Sequence, residues 1–328
     1  MTLLLLSILP AALVADRLFG EPPAKIHPVC LMAALALRLE TRLRRGPNGV
    51  RLRLAGLVAV ALVAGAAALA GGCCMLLLQN GAAPWVGWLA TTLLVGVCLA
   101  PSCLKESALC VARALEQGDM ASARAAVGHI VGRNTASLDQ HGIARACVES
   151  VAENLVDAVL ATLFWAGVGL FLWGCPGSAA LVFLHRATNT LDALWGKKNE
   201  KYICFGMAAA RLDDALNYIP ARLALPCIVV AALWSSSLKA KNSLRIGWKY
   251  RHAHESPNSA WSEAAFAGAI GLQLGGPAVY GTLAVDHPWL GEGVREATPA
   301  HIRESVCLMW RTTIVFTALA VALLALAA

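Results

Sequence analysis

Residues 54–104 read LAGLVAVALVAGAAALAGGCCMLLLQNGAAPWVGWLATTLLVGVCLAPSCL and contain no charged side chain. A helix needs about 20 largely apolar residues to cross the roughly 30 Å hydrocarbon core of a bilayer. The run is therefore long enough for two spans, and Gln79-Asn80-Gly81-Ala82-Ala83-Pro84 supplies the turn between them. Arg38, Arg42, Arg44, Arg45, Arg51 and Arg53 precede it and Lys105 follows. Positive charge collects on the cytoplasmic side, which places both flanks there.

Outward from this run the same pattern continues. Further apolar stretches are Met1–Ala15, Ala158–Leu184, Leu223–Leu238, Ala264–Val285 and Thr312–Ala328. The first lacks Lys or Arg ahead of its apolar core and reads as an uncleaved membrane helix rather than a signal peptide. Gly174-Cys175-Pro176-Gly177 breaks the second, which suits a span followed by the start of a returning helix. Leu223–Leu238 is short, and Gly275-Gly276-Pro277 interrupts Ala264–Val285. A re-entrant or interfacial segment fits either of these at least as well as a clean span. The expectation is an all-α, polytopic membrane protein of roughly five or six spans, one domain over 1–328, with cytoplasmic polar segments at 105–157, 186–222 and 239–263.

Composition agrees. The chain is 58% hydrophobic and only 14% charged, with a mean hydropathy of +0.62. Lipid must cover much of such a surface, because a soluble domain carries about 25% charged residues. The net charge of +7 does not point to nucleic acid, since the basic residues sit beside apolar runs without interleaved aromatic side chains. Eleven cysteines are scattered, mostly within apolar runs, with no CxxC pair. His252 and His254 are too few for a metal site. No Walker loop, GxSxG or HExxH occurs.

The chemistry gathers in the polar segments. Arg145, Glu149, Glu153 and Asp157 recur every fourth residue, so a helix would present them as one stripe, with Asn154 beside it. That stripe runs into the apolar stretch from Ala158. Ionised groups near the bilayer interior are costly and demand a base, a metal or water as partner. A second cluster comprises Arg186, Asn189, Thr190, Asp192, Asn199, Glu200, Arg211, Asp213, Asp214, Asn217 and Arg222. Carboxylates and amides among arginines suit Mg²⁺ and phosphate. The remaining polar segments carry His254, Asn258 and Glu263, and Asp16 to His27. The plain alternative for any single pair is a solvated i,i+4 ion pair such as Arg145–Glu149. Repetition in separate segments makes that a weak account of the whole.

Five motifs, in order, carry a family likeness: DRLFGEPPAKIHPV (16–29), GRNTASLD (132–139), ARACVESVAENLVDAVLATLFW (144–165), HRATNTLDALWGKKNEKYICFGMAAARLDDALNYIPARL (185–223) and HESPNSAWSEAAFAGAIGLQLGG (254–276). Together they resemble the adenosylcobinamide-phosphate synthase family of cobalamin biosynthesis. The resemblance implies a bacterial cytoplasmic (inner) membrane enzyme whose polar site faces the cytoplasm. It would join adenosylcobyric acid, a corrinoid, to an aminopropanol phosphate through an amide bond, using ATP and Mg²⁺. Contact with other enzymes of the pathway is a further expectation. On this reading Glu149, Glu153, Asp157, Asp213 and Asp214 are the acid/base candidates, with Glu153, Asp157, Asp213 and Asp214 as metal ligands. Arg133, Arg145, Arg186, Arg211 and Arg222 clamp phosphate or propionate, and Asn154, Asn189, Asn217, His254 and Asn258 orient substrate. The chain departs from the family at Asn134, where an acid is usual, and at His185, where an aromatic residue often stands. A non-catalytic membrane sensor or carrier of the same superfamily is the alternative.

Overall fold

The computed structural model describes residues 3–81, 83–280 and 283–327. Met1, Thr2, Ala82, Gly281, Thr282 and Ala328, which belong to the apolar runs and turn expected above, lie outside them. In chain order the first helices are α1 (Leu3–Leu6), α2 (Ile8–Phe19), α3 (Pro28–Leu43), α4 (Val50–Gly81) and α5 (Pro84–Cys98). Next come α6 (Pro101–Glu116), α7 (Met120–Gly128), α8 (Gln140–Asn154), a π-helical turn at Leu155–Leu160, and α9 (Ala161–Trp195). The last are α10 (Met207–Ala232), α11 (Ala240–Tyr250), α12 (Ser259–Ile270) and α13 (Pro299–Leu326). Among the described residues, five helical segments are long and apolar enough to cross a membrane: Val50–Asn80, Pro84–Glu116, Gln140–Trp195, Met207–Ala232 and Pro299–Leu326. The chain is a multi-pass helical membrane protein, as its composition requires.

Two expectations for the spans change. The first apolar run forms only α1 and the 12-residue α2, and α2 is about 18 Å long at 1.5 Å per residue. It is thus too short to cross alone. Leu223–Leu238, conversely, supplies most of its length to the 26-residue α10, because the helix begins well upstream in polar sequence. Ala264–Val285 is no span. Its helix stops at Gly271, which is left-handed at φ 85°, and two short antiparallel pairs follow. These are β1 (Leu274–Gly275) with β4 (Trp289–Leu290), and β2 (Ala278–Tyr280) with β3 (Leu283–Val285).

The chain forms two compact units, one from residues 1–100, 161–217 and 317–328, the other from 101–160 and 218–316. In the first, α4 lies along α9 through small residues. A Cβ on Gly71 would sit 2.8 Å from the Ala179 carbonyl oxygen, and one on Gly72 would sit 3.3 Å from the Ala180 Cβ. Helices in membranes associate by close packing of this kind, since lipid gives them little hydrophobic reason to meet. Within α9, Trp173 and Gly174 leave helical geometry, Gly174 at φ 67°. Gly169 and Gly177 approach so closely that a Cβ on either would overlap the other's backbone. A continuous helix would hold them about 12 Å apart. The chain therefore doubles back at Gly174, as its break in the sequence suggested.

Glu40 ties α3 to the end of α9 and the loop after it. The buried carboxylate accepts hydrogen bonds from Trp195 Nε1 at 3.1 Å, Tyr202 Oη at 3.0 Å and Arg44 Nε at 3.0 Å, and Lys201 lies 3.3 Å away. Burial pulls its pKa upward, but these donors outweigh that and hold it below the ordinary carboxyl value. Trp195 is fully buried, so Glu40→Ala strands an indole N–H without an acceptor. A loss of about 3 kcal/mol is expected, read as a lower melting temperature in detergent. An unchanged melting temperature would show that the network contributes nothing net.

In the second unit α8 and α12 form the centre. Every residue of α12 is buried, and so is α8 from Gly142 to Ala152 apart from Arg145. Asp139 caps α8 by accepting the Gly142 N–H at 2.7 Å, and Asp119 caps α7 through the Ser122 N–H at 3.0 Å. Both supply an acceptor that a helix N-terminus lacks.

Candidate functional site

Polar groups on a helix buried from all sides must find partners within the protein. In the second unit this applies to Glu149 on α8 and Glu263 on α12, which are 4% and 6% exposed. Glu149 pairs with Arg133 and accepts the Gly275 N–H at 2.5 Å. Its ion pair thus runs to Arg133, not to Arg145 one turn away. Arg145 instead donates to the Arg295 carbonyl at 3.3 Å and lies 5.0 Å from the centre of the Trp289 ring.

Arg133 is placed by a loop stitched to its neighbours. Thr135 Oγ1 donates to the Arg124 carbonyl, Arg124 Nε to the Leu138 carbonyl, and Ser150 Oγ to the Ile130 carbonyl. Asn134 accepts the Ala136 N–H at 2.9 Å through its side-chain oxygen. A carboxylate could fill the same turn role, so the exchange at this position keeps the loop's local bond.

Ser259 Oγ donates to Glu153 at 3.5 Å, and Asn154 Nδ2 donates to the Ser150 carbonyl at 2.9 Å. Burial pushes the Glu263 pKa well above the ordinary carboxyl range, reinforced by the charges of Glu153, Glu149 and Asp157 and opposed by Arg133. The stripe of acids read from the sequence therefore converges on a fourth carboxyl from another helix. Nearby, Arg222 donates to Asn258 Oδ1 at 2.7 Å and to the Pro257 carbonyl at 3.2 Å, and packs over the Tyr218 and Trp261 rings. His254 Nδ1 accepts the Ser256 N–H at 3.0 Å, and its ring stacks on His287 at 6.2 Å.

The first unit holds a separate polar chain. Asp213 on α10 accepts from Asn217 Nδ2 at 2.9 Å and Asn189 Nδ2 at 3.5 Å. Asn189 Oδ1 accepts from Arg186 at 3.4 Å, and Asn217 Oδ1 lies 3.1 Å from His185 Nε2. Asp192 and Asp214 are close enough for their charges to act on Asp213. Arg211 is exposed and takes no part in these bonds.

Of the residues expected at a site, Arg133, Glu149, Glu153 and Asp157 are thus brought together in one unit, and Arg186, Asn189, Asp213, Asp214 and Asn217 in the other. Glu263, Asp192, His185 and the Gly275 amide join them without having been singled out as site residues. An acid within the otherwise apolar SAWSEAAFAGAI was the available signal for Glu263. Among the described residues, no group of three or more His, Cys, Asp and Glu side chains is disposed to hold a metal. A magnesium ion that keeps water and shares substrate phosphate needs only one or two carboxylates.

Fold and site together define a polytopic helical membrane protein with buried carboxylate, amide and arginine clusters. The family described as CobD/Cbib protein matches residues 9–309, and the chain belongs to it. It is 41% identical over 304 residues to the cobalamin biosynthesis protein CobD of Klebsiella pneumoniae, covering 91% of each chain. It is likewise 41% identical over 313 residues to the cobalamin biosynthesis protein CbiB of Salmonella typhimurium, covering 95% of each. No solved structure matches it. The likeness carried by the five motifs is borne out.

Proposed function

We propose that this chain acts in cobalamin biosynthesis as an adenosylcobinamide-phosphate synthase. It would form an amide between adenosylcobyric acid and (R)-1-amino-2-propanol phosphate at the expense of ATP, at the cytoplasmic face of a bacterial inner membrane. The observation that carries the reading is the convergence of buried Glu149 and Glu263, half-buried Asp157 and exposed Glu153 on Arg133. The names of its relatives support the pathway.

Amide formation needs an activated carboxyl, an amine stripped of its extra proton, and both reactants held together. Glu149, Glu153 and Asp157 are the candidates to accept the ammonium proton. Glu263, which burial and its neighbours hold toward the protonated form, suits donation of a proton to a leaving phosphate oxygen. Arg133, Arg145 and Arg222 in the second unit, and Arg186 in the first, offer forked donors to phosphate or propionate oxygens. Asn154, Asn258 and His254 are the orienting groups offered in the second unit, and Asn189 and Asn217 those offered in the first. Asp213 with Asp214, and Glu153 with Asp157, remain the carboxylate pairs offered to Mg²⁺, which when bound would neutralise phosphate charge.

The test is ATP hydrolysis by the detergent-purified protein with Mg²⁺, adenosylcobyric acid and aminopropanol phosphate, with the corrinoid followed by mass. Hydrolysis matched by the amide product is expected. Tight corrinoid binding without turnover, in detergent that preserves the fold, would favour a sensor or carrier instead.

A further inference from the structure

The amphipathic helix α11 plays no part in the polar clusters, yet its construction is specific. Its inner face is seated on α12 through small residues. Ser243 Oγ donates to the Ala265 carbonyl at 3.0 Å, and a Cβ on Gly247 would stand 3.3 Å from the Ala265 Cβ. Such an approach leaves α11 little freedom to roll, so its outer face is fixed. That face carries Leu244 and Trp248, one turn apart and 50% and 56% exposed. Lys241 and Arg251 flank them, with the Arg251 guanidinium 4.1 Å from the Trp248 ring centre. No acidic residue occurs from Lys239 to Arg251. Arg245 and Lys249 meet the single carboxylate of Glu292 at 2.8 and 2.6 Å, which leaves the cationic excess in place.

Position supplies the partner. Helix α10, long and apolar enough to cross a membrane, ends at Ala232, and α11 begins at Ala240. Between them Leu233 and Trp234 are 69% and 54% exposed, the placing of an aromatic residue at the level of lipid headgroups. So short a tether keeps α11 at that depth. A fixed helix face presenting leucine and tryptophan between cations suits an interfacial layer of acyl boundary and anionic headgroup. We propose that the Lys241–Leu244–Trp248–Arg251 face of α11 docks on the anionic phospholipid surface of the bilayer.

An environment-sensitive fluorescent amino acid in place of Leu244 tests this in the full chain, reconstituted in nanodiscs. Emission is expected to be blue-shifted and quenched by brominated acyl chains in equimolar phosphatidylglycerol and phosphatidylcholine, and less so in phosphatidylcholine alone. Each cation removed should weaken the docking equilibrium roughly five-fold, so K241Q/R251Q loses most of the response and the exposed single variant K241Q part of it. Identical emission in both lipid compositions and in both variants would overturn the proposal, whether the probe reports water or a buried protein contact.

Discussion

Glu149→Gln is expected to reduce corrinoid amide synthesis by about 10²–10³-fold, the usual effect of losing one preorganised electrostatic contact in a buried site. Glutamine can still accept the Gly275 N–H, but it cannot neutralise Arg133, whose side chain is only 16% exposed. Breaking a buried pair from one side costs about 3 kcal/mol, so the variant should also melt earlier. Glu263→Gln separates the two effects. In the native protein its raised pKa makes folding favour the protonated acid. That contribution is complete below the ordinary carboxyl pKa and is lost as pH rises through the higher folded value. The amide removes this penalty, so the variant should match or exceed the native melting temperature at neutral pH, with a weaker fall in stability as pH rises. Its turnover should nevertheless fall, since an amide cannot give a proton to the leaving phosphate. Full turnover in both variants, by mass-resolved product, would remove the cluster from the mechanism.

Gly71→Leu is expected to prevent accumulation of folded protein. Its first side-chain carbon would lie 2.8 Å from the Ala179 oxygen and 3.1 Å from both the Ala179 carbonyl carbon and the Phe183 ring. Backbone on that side cannot yield without separating α4 from α9. Overpacking typically costs 1–3 kcal/mol where side chains can shift, and more than about 3 kcal/mol is expected where a carbonyl is the obstacle. Gly65, on the same helix, is a suitable control, since a Cβ there meets nothing within 4 Å. Gly65→Ala should be neutral, or stabilising by up to about 1 kcal/mol from helix propensity. Fluorescence-detected size exclusion after a temperature ramp distinguishes them, and equal profiles would refute the packing account.

The membrane class was legible because a charge-free run such as 54–104 is decided by transfer energy alone, without tertiary contacts. The acid stripe was legible for a similar reason, since four-residue spacing is a local property. Its partners were not. Arg133 reaches Glu149 from a loop placed by bonds to two other stretches, at Arg124 and Ser150, and Glu263 arrives on a helix more than a hundred residues later. Span boundaries failed where local hydropathy and helix length disagree. α10 starts in the polar ARLDDALN sequence and carries it into a long helix, whereas the N-terminal run is apolar enough but forms too short a helix. Nothing local distinguished the Glu149 pairing with Arg133 from the nearer Arg145.

The reversal at Gly174 also bears on how the protein is made. A single crossing helix has all its backbone bonds once its own residues have left the ribosome. The first arm of α9, however, has nothing to seat Gly169 against until Gly177 and the residues after it have been synthesised. The two arms therefore mature as a pair. A nascent chain stalled between Gly174 and Trp195 would present the membrane-insertion machinery with an unfinished hairpin, bare along one side. It would be a natural point for quality control to intervene.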